Sequence, residues 1–525
     1  MRTDSKTIDR PVPASSGPTA PIAAPGRART GSGASDARKR LSATLATMRR
    51  YPELALLAAL LLVMSVFSRS FSQAVSVGPI YITEVVMALV FAIAAVRHGV
   101  GASVTLLRRL PLPALAVIWF LGAIATIRGL SEFGLSLVTH DVGLVDYTLL
   151  LPILALVVVD RERHEAMFST LVACGFAGMA TFVMVFTADQ ISGHAETLFS
   201  LQGSAAGLYM SFAVAWIAAR LTNGVPPSRW LVALIPIGLV LMSLTGQRSV
   251  WVIAFLALGA IVLLAPRERR LRAAASLAVV LPLSLGLAVA MQLVLITVAP
   301  AETTGGSTLV RVDEATPAGD APAGSPGSPS FDIGAAETRG SGNLSVTSDD
   351  GDAQLTEEIA GLTNASSEEG QNIRWRLAYW SQLIERVPED PILGAGFGRP
   401  ADFYWESRKY DFRDGAPLAG LDVAGPHNSF VNFLWRLGIP AFLALLFVIG
   451  VALARVRGAF RGGLETRDRV TLTTLVAMVV AAAVASSFNE GLTGPFLGIF
   501  FWIPLGMLLL WPATRPPAGP GTSAV

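Results

Sequence analysis

Residues 425–440 read GPHNSFVNFLWRLGIP, a His-Asn pair set directly before an apolar run. His427 is one of only five histidines in 525 residues. Gly425 and Pro426 fix the approach of the chain to it, and Asn428 can hydrogen-bond nearby backbone or a sugar. An imidazole that is neutral near pH 7 can take a proton from a hydroxyl; an ordinary loop histidine is the plainer alternative. Arginines offer the complementary chemistry. Arg248 sits in LTGQRSVW, and Arg374 and Arg376 in NIRWRLAYW. A planar guanidinium binds phosphate oxygens bidentately, so these three are candidates for an anion clamp. Equally, Arg248 can snorkel from a helix end, and Arg374 and Arg376 can meet lipid headgroups.

Glu84 is a carboxylate inside an apolar stretch, which marks either a functional group or a packing hydrogen bond. His140, Asp141 and Asp146 cluster near the start of another such stretch; they can bind sugar hydroxyls or simply be solvated. No HExxH, Walker, GxSxG or dinucleotide-binding pattern is present. GAGFG at 394–398 reads as a tight turn. The single cysteine, Cys174, excludes an internal disulfide and CxxC metal sites. No metal, cofactor or nucleic-acid site is expected.

These residues must be positioned by a membrane protein. Hydrophobic residues make up 52% of the chain and charged residues 15%, against about 25% charged in soluble domains. Twelve stretches approach the length that crosses a bilayer, about 20 apolar residues: 52–68, 78–96, 110–127, 142–159, 165–187, 199–219, 229–245, 249–265, 274–298, 430–454, 470–488 and 494–511. The tight 245–249 turn is the narrowest division. Loops on one side hold Arg97, Arg108 and Arg109, then Arg161 and Arg163, Arg220 and Arg229, Arg267 to Arg272, and Arg455 to Arg469. The short loops on the other side hold little besides Arg128 and Arg248. By the positive-inside rule both termini are cytoplasmic.

The chain then divides into a disordered cytoplasmic arm over 1–48, nine spans within 49–298, a large extracytoplasmic loop over 299–429, three spans within 430–511, and a cytoplasmic tail over 512–525. Residues 300–370 carry thirteen acidic residues against two arginines among Gly, Ser, Pro and Ala, the composition of a solvated insert without chemistry of its own. Asn343 and Asn364 there match glycosylation sequons by chance. From 371 to 429 the loop is ordered. Ile373, Leu377, Trp380 and Ile384 recur at helical spacing, and the Trp and Arg around them suit a membrane interface.

Three segments together resemble the O-antigen ligase and O-antigen polymerase superfamily: TGQRSVWVIAF, RLAYWSQLIERVPEDPILGAGFG and HNSFVNFLWRLG. Arg436 and Ala441 depart from its pattern, where an acidic residue and a second glycine are common. The resemblance implies an all-α bundle of about twelve membrane helices with a helical outer loop, similar to GT-C-type membrane glycosyltransferases. It implies His427 as the catalytic base and Arg248 and Arg376 as diphosphate-binding, with Arg374 able to substitute in the register and Asn428 and Glu84 in supporting roles. The implied activity is metal-independent, inverting transfer of a glycan from a polyprenyl-diphosphate carrier to a sugar hydroxyl of a glycan or glycolipid acceptor. The implied place is the outer face of the bacterial cytoplasmic membrane, within the lipid bilayer. A transporter or flippase of lipid-linked glycans is the alternative use of so many spans.

Overall fold

The computed structural model describes residues 33–192, 203–298, 368–410 and 426–514, apart from 75, 78–79, 226, 246–247, 400, 402, 406–407 and 490. The fold is helical throughout. Two compact units divide the chain at residues 43 and 44. The first is described only over 33–43, which is helical. The arm expected to lack structure up to 48 thus forms a helix over its last part, α1 (Gly33–Arg50). Its Ala, Arg, Leu and Met residues favour helix. Within the second unit, Thr47 donates to Glu162 at 2.6 Å.

The second unit continues with α2 (Pro52–Ala74), α3 (Ile82–Leu107), α4 (Leu112–Glu132), α5 (Leu135–Asp146), α6 (Leu150–Val157), α7 (Arg161–Ser192), α8 (Gly203–Thr222), α9 (Arg229–Ser243), α10 (Arg248–Leu264) and α11 (Arg267–Val298). After the undescribed stretch come α12 (Glu368–Glu385), α13 (Ser429–Arg461), α14 (Thr466–Phe488) and α15 (Pro495–Thr514). Strand content is confined to two short antiparallel ladders. One pairs β1 (Ser76–Val77) with β2 (Ile80–Tyr81), and the other β3 (Phe403–Trp405) with β4 (Arg408–Tyr410).

Among the described residues, eight helices are long and apolar enough to cross a membrane. Four shorter apolar helices, Pro52–Phe67, Arg229–Ser243, Ser249–Leu264 and Pro495–Trp511, accompany them. Each of the twelve stretches read from the sequence falls on one of these. The fourth is not one continuous α-helix: α5 and α6 are joined by a single 3₁₀ turn, Tyr147–Leu149. α15 sits at the centre, with Phe500, Phe501 and Trp502 fully buried, packed on α14, α13 and α6. α11 lies at the rim, with Leu271, Val279 and Leu283 all exposed.

The basic loops assigned to one side do meet. Glu53, fully buried, accepts from Arg97 at 3.2 Å and pairs with Arg163 at 3.6 Å. Arg163 also lies 3.6 Å above the Tyr51 ring. Arg161 reaches Asp468 at 3.3 Å, Arg467 reaches Glu165 at 2.6 Å, and Arg455 donates to the Arg109 carbonyl at 2.9 Å.

The other loops converge around α13. Arg436, inside the tenth apolar stretch, forms an ion pair with Asp141 of α5 at 3.0 Å, both side chains about 5% exposed or less. Its guanidinium also donates to the carbonyls of Gly396 and Arg399 at 3.1 and 2.6 Å, and lies 4.3 Å above the Trp435 ring. Asp141 in turn accepts from the Gly398 amide at 2.8 Å. An ion in so apolar a setting persists only when paired and hydrogen-bonded. Asp141 itself is therefore enclosed and paired rather than solvated.

The segment 390–398 is threaded between α4, α5 and α13. Arg128 of α4 holds Asp390 at 3.0 Å. The amides of Ala395, Gly396 and Phe397 bond to the carbonyls of Trp435, Arg436 and Ala125. Gly394 has φ +69, and a Cβ there would lie 2.5 Å from the Arg436 carbonyl. Gly438 has φ +77 and interrupts α13, and the next amide, Ile439, bonds to the Pro391 carbonyl instead. The expected tight turn at 394–398 is present, and only glycine fits where its backbone meets that of α13. Before the kink α13 is enclosed by protein; beyond it Ile439, Leu443 and Phe447 are exposed.

Because the pair is enclosed, removing one partner strands a charge. Arg436→Met or Asp141→Leu alone is expected to cost about 3–5 kcal/mol, seen as a lowered melting temperature in detergent. The double change should cost clearly less than the sum of the two. Full additivity would mean that the two side chains are not coupled.

Candidate active site

The start of α13 fixes His427. Asn428 is the N-cap, and its side-chain oxygen accepts from the amides of Phe430 and Val431 at 3.0 and 3.1 Å. This satisfies amides that a helix start otherwise leaves unpaired. Asn428 is 9% exposed, so of its two suggested partners, backbone and sugar, it has the backbone. His427 immediately before it has φ +47, the one positive-φ residue other than glycine among those described. Such left-handed residues are uncommon and concentrate at functional sites. Ser429, the first helical residue, donates to the Asn489 carbonyl at 3.0 Å and accepts from the Leu492 amide at 3.0 Å. These bonds tie the helix start to the connection between α14 and α15.

α12 covers this turn. Its helix begins at Glu368, four residues before the change in composition at Asn372. α12 buries one face in protein. Tyr379 and Leu383 are fully buried, with Trp375 and Val431 packed against the same cluster as Trp435 and Ala401. Leu377 and Ile384, assigned to the apolar face, are 55% and 48% exposed. Trp380 donates its indole N–H to the Pro426 carbonyl, and the Trp375 ring lies 6.2 Å from the His427 ring.

Arg376 shares the inner face with Trp380, one turn away. It donates to the Phe488 carbonyl at 3.1 Å, next to the carbonyl that Ser429 binds. The helix start that follows His427 and one clamp candidate are therefore both tied to residues 488–489. Burial lowers the pKa of the Arg376 guanidinium, which nonetheless stays protonated at physiological pH. Arg374, two residues earlier, is exposed; at about 100° per residue it points away from the Arg376 face. The structure does not bring Arg374 to the site.

Arg248 opens α10, and its side chain lies outside the described residues. Its backbone belongs to the same end of the bundle. Two residues on, Val250 packs on Gly207 of α8, where a Cβ would lie 2.6 Å from its methyl groups. Tyr209, one turn further in the neighbourhood of Gly207, donates to the Phe496 carbonyl at the start of α15 at 2.7 Å. Glu84 lies in the first turn of α3, accepts from the Tyr147 hydroxyl at 2.7 Å, and leaves its second oxygen buried without a hydrogen-bond partner. The bond to Tyr147 is a packing hydrogen bond between α3 and the turn after α5. The side chain of His140 also lies outside the described residues.

Residues 231–446 match the family model described as O-antigen ligase. The match covers less than half of the chain, and this segment is what is similar to the O-antigen ligase family. The segment runs from α9 past the kink of α13 and contains Arg248, Arg374, Arg376, His427 and Asn428. No curated protein matches the chain. With its many apolar helices, the O-antigen ligase segment belongs to an integral membrane protein.

Sequence reasoning passed over Arg436 and Asp141 as partners. The signal was present, because two opposite charges inside separate apolar stretches are costly unless they meet. Trp380 was read only as an apolar anchor, since spacing cannot reveal that its N–H meets a carbonyl 46 residues away. For the cap, Asn428→Ala is expected to cost about 1 kcal/mol, and Asn428→Ser much less. Equal melting temperatures for the wild type and the alanine variant would show that the cap does not stabilise the turn.

Proposed function

We propose that this O-antigen ligase-like protein transfers a glycan from a polyprenyl-diphosphate carrier to a sugar hydroxyl of a glycan or glycolipid acceptor, with His427 as the base. The observation that supports the reading is that Ser429, two residues after His427, and Arg376 bond to the adjacent carbonyls of Asn489 and Phe488, with His427 and Arg376 both inside the segment matched by the family model. The imidazole removes the proton of the acceptor hydroxyl. The acceptor oxygen bonds to the anomeric carbon as the bond from that carbon to the diphosphate oxygen breaks, and its electron pair leaves with the carrier. Arg376, and Arg248 from the start of α10, hold the departing diphosphate and balance its growing charge. A single displacement inverts the anomeric configuration. The diphosphate is a good leaving group by itself, so the reaction as written uses no metal.

The reading places the His427 end on the outer face of the cytoplasmic membrane and both termini in the cytoplasm. One feature supports this side: the arginine-rich short loops meet one another. Arg374 plays no part in holding the diphosphate on this reading, because it faces away from Arg376.

The test uses the purified full-length protein in lipid vesicles with a polyprenyl-diphosphate glycan and a glycolipid acceptor. His427→Ala should lower transfer by about 10²–10⁴-fold. Arg376→Ala and Arg248→Ala should each lower it by about 10²–10³-fold, and Arg374→Ala should leave it within about twofold. Undiminished transfer by the His427 variant would exclude it as the base. Passage of intact carrier across the vesicle without a new glycosidic bond would favour the flippase. For orientation, reporters fused after residue 525 and within 300–370 should sit on opposite sides of the membrane.

A further inference from the structure

The turn at His427 is held from both sides, and the two restraints differ in kind. On the helix side, Asn428 and Ser429 bind the first turn of α13 and residues 489–492. On the other side, the described contact is the indole N–H of Trp380 on the Pro426 carbonyl. The proline ring fixes its own φ, and the residue between these two anchors is His427. That backbone has φ +47, a conformation that a side chain with a Cβ leaves unless its surroundings hold it. Rotation back to negative φ would redirect the imidazole while leaving the helix and its cap intact.

We infer that Trp380 is a positioning residue for His427, its N–H holding the Pro426–His427 peptide so that the imidazole faces the site. The inference rests on the reading of His427 as the base. Trp380 is suited to the task because α12 is itself anchored. Tyr379 and Leu383, its neighbours on the inner face, are fully buried against Trp435. Trp435 carries the Arg436 guanidinium 4.3 Å above its ring, and Arg436 is fixed by Asp141. The ion pair, the aromatic cluster and the indole thus form one packed path ending at the histidine turn. Trp375 closes it on the other side, 5.7 Å from the Tyr379 ring and 6.2 Å from that of His427. Arg376 shares this helix face, so the same docking sets the base and the guanidinium relative to each other.

Trp380→Phe is the mildest variant, since it keeps an aromatic ring in place while removing the N–H donor with the pyrrole part of the indole. In the full-length protein in vesicles, assayed for glycan transfer, kcat should fall about tenfold to hundredfold. A misplacement near 1 Å has an effect of that size. KM for the carrier should stay within about twofold and the melting temperature within a degree or so. A double-mutant cycle separates positioning from general structure. In a His427→Ala background, Trp380→Phe should leave the residual rate unchanged, because no imidazole remains to be aimed. The same fractional loss in both backgrounds, or a wild-type kcat for Trp380→Phe beside an impaired His427→Ala, would overturn the positioning role alone. Full activity of His427→Ala would overturn the base and the positioning role together. If the residual rate is too low to measure, the kcat and KM of Trp380→Phe decide: a loss confined to KM would overturn the inference.

Discussion

Two charges, Arg436 and Asp141, meet at 3.0 Å inside an otherwise apolar bundle, and the architecture of the site depends on their staying together. Neither is tolerable alone in such surroundings, because burying an unpaired ion costs several kcal/mol. Their pairing fixes α13 against α5, and the remaining donors of Arg436 draw in the carbonyls of Gly396 and Arg399. Asp141 binds the Gly398 amide from the other side. An irregular loop is thereby lodged between helices. Non-helical backbone survives there because protein groups satisfy its polar atoms.

The glycines of this loop follow from the same closeness. At Gly394 and Gly438 the loop and α13 approach backbone to backbone, and both residues take positive φ. The kink at Gly438 gives α13 two characters. Its first turns carry Trp435 and Arg436 inward, enclosed by the loop and α12, while the remainder exposes Leu443 and Phe447 as a lipid-facing helix does. Arg436 departs from the pattern common in the superfamily, and its partner Asp141 lies outside the segment that the family model matches. The departure is thus balanced within this chain.

At the N-terminal end of α13 the geometry is set by local rules. Asn428 caps, Ser429 ties the helix to the 489–492 connection, and His427 takes up the strained position between them and Pro426. α12 brings Arg376 and Trp380 over this turn from one face and leaves Arg374, Leu377 and Ile384 on the other. Two arginines separated by a single residue therefore have different surroundings. Helical geometry alone makes them poor substitutes for each other.

Much of this was legible in the sequence. The run lengths of apolar residues found each helix of the bundle, because a bilayer sets that length. The His-Asn pair announced a helix start, and GAGFG announced a turn, because capping and positive φ are local demands on residue type. The spacing marked the Leu377 and Ile384 side of α12, which is exposed, but did not reveal the side that Tyr379 and Leu383 bury in protein. The arm before residue 49 was read as unstructured because it lacks an apolar period, yet intrinsic propensity made its last part helical. What the sequence determined by itself is where the apolar helical stretches lie and the residue types able to act as base and anion clamp, consequences of short-range chemistry. What only the tertiary structure decided is which charges meet and which arginine turns inward. Those outcomes depend on contacts between residues far apart in the chain, such as Asp141 with Arg436 and Trp380 with Pro426, whose partners no local pattern names.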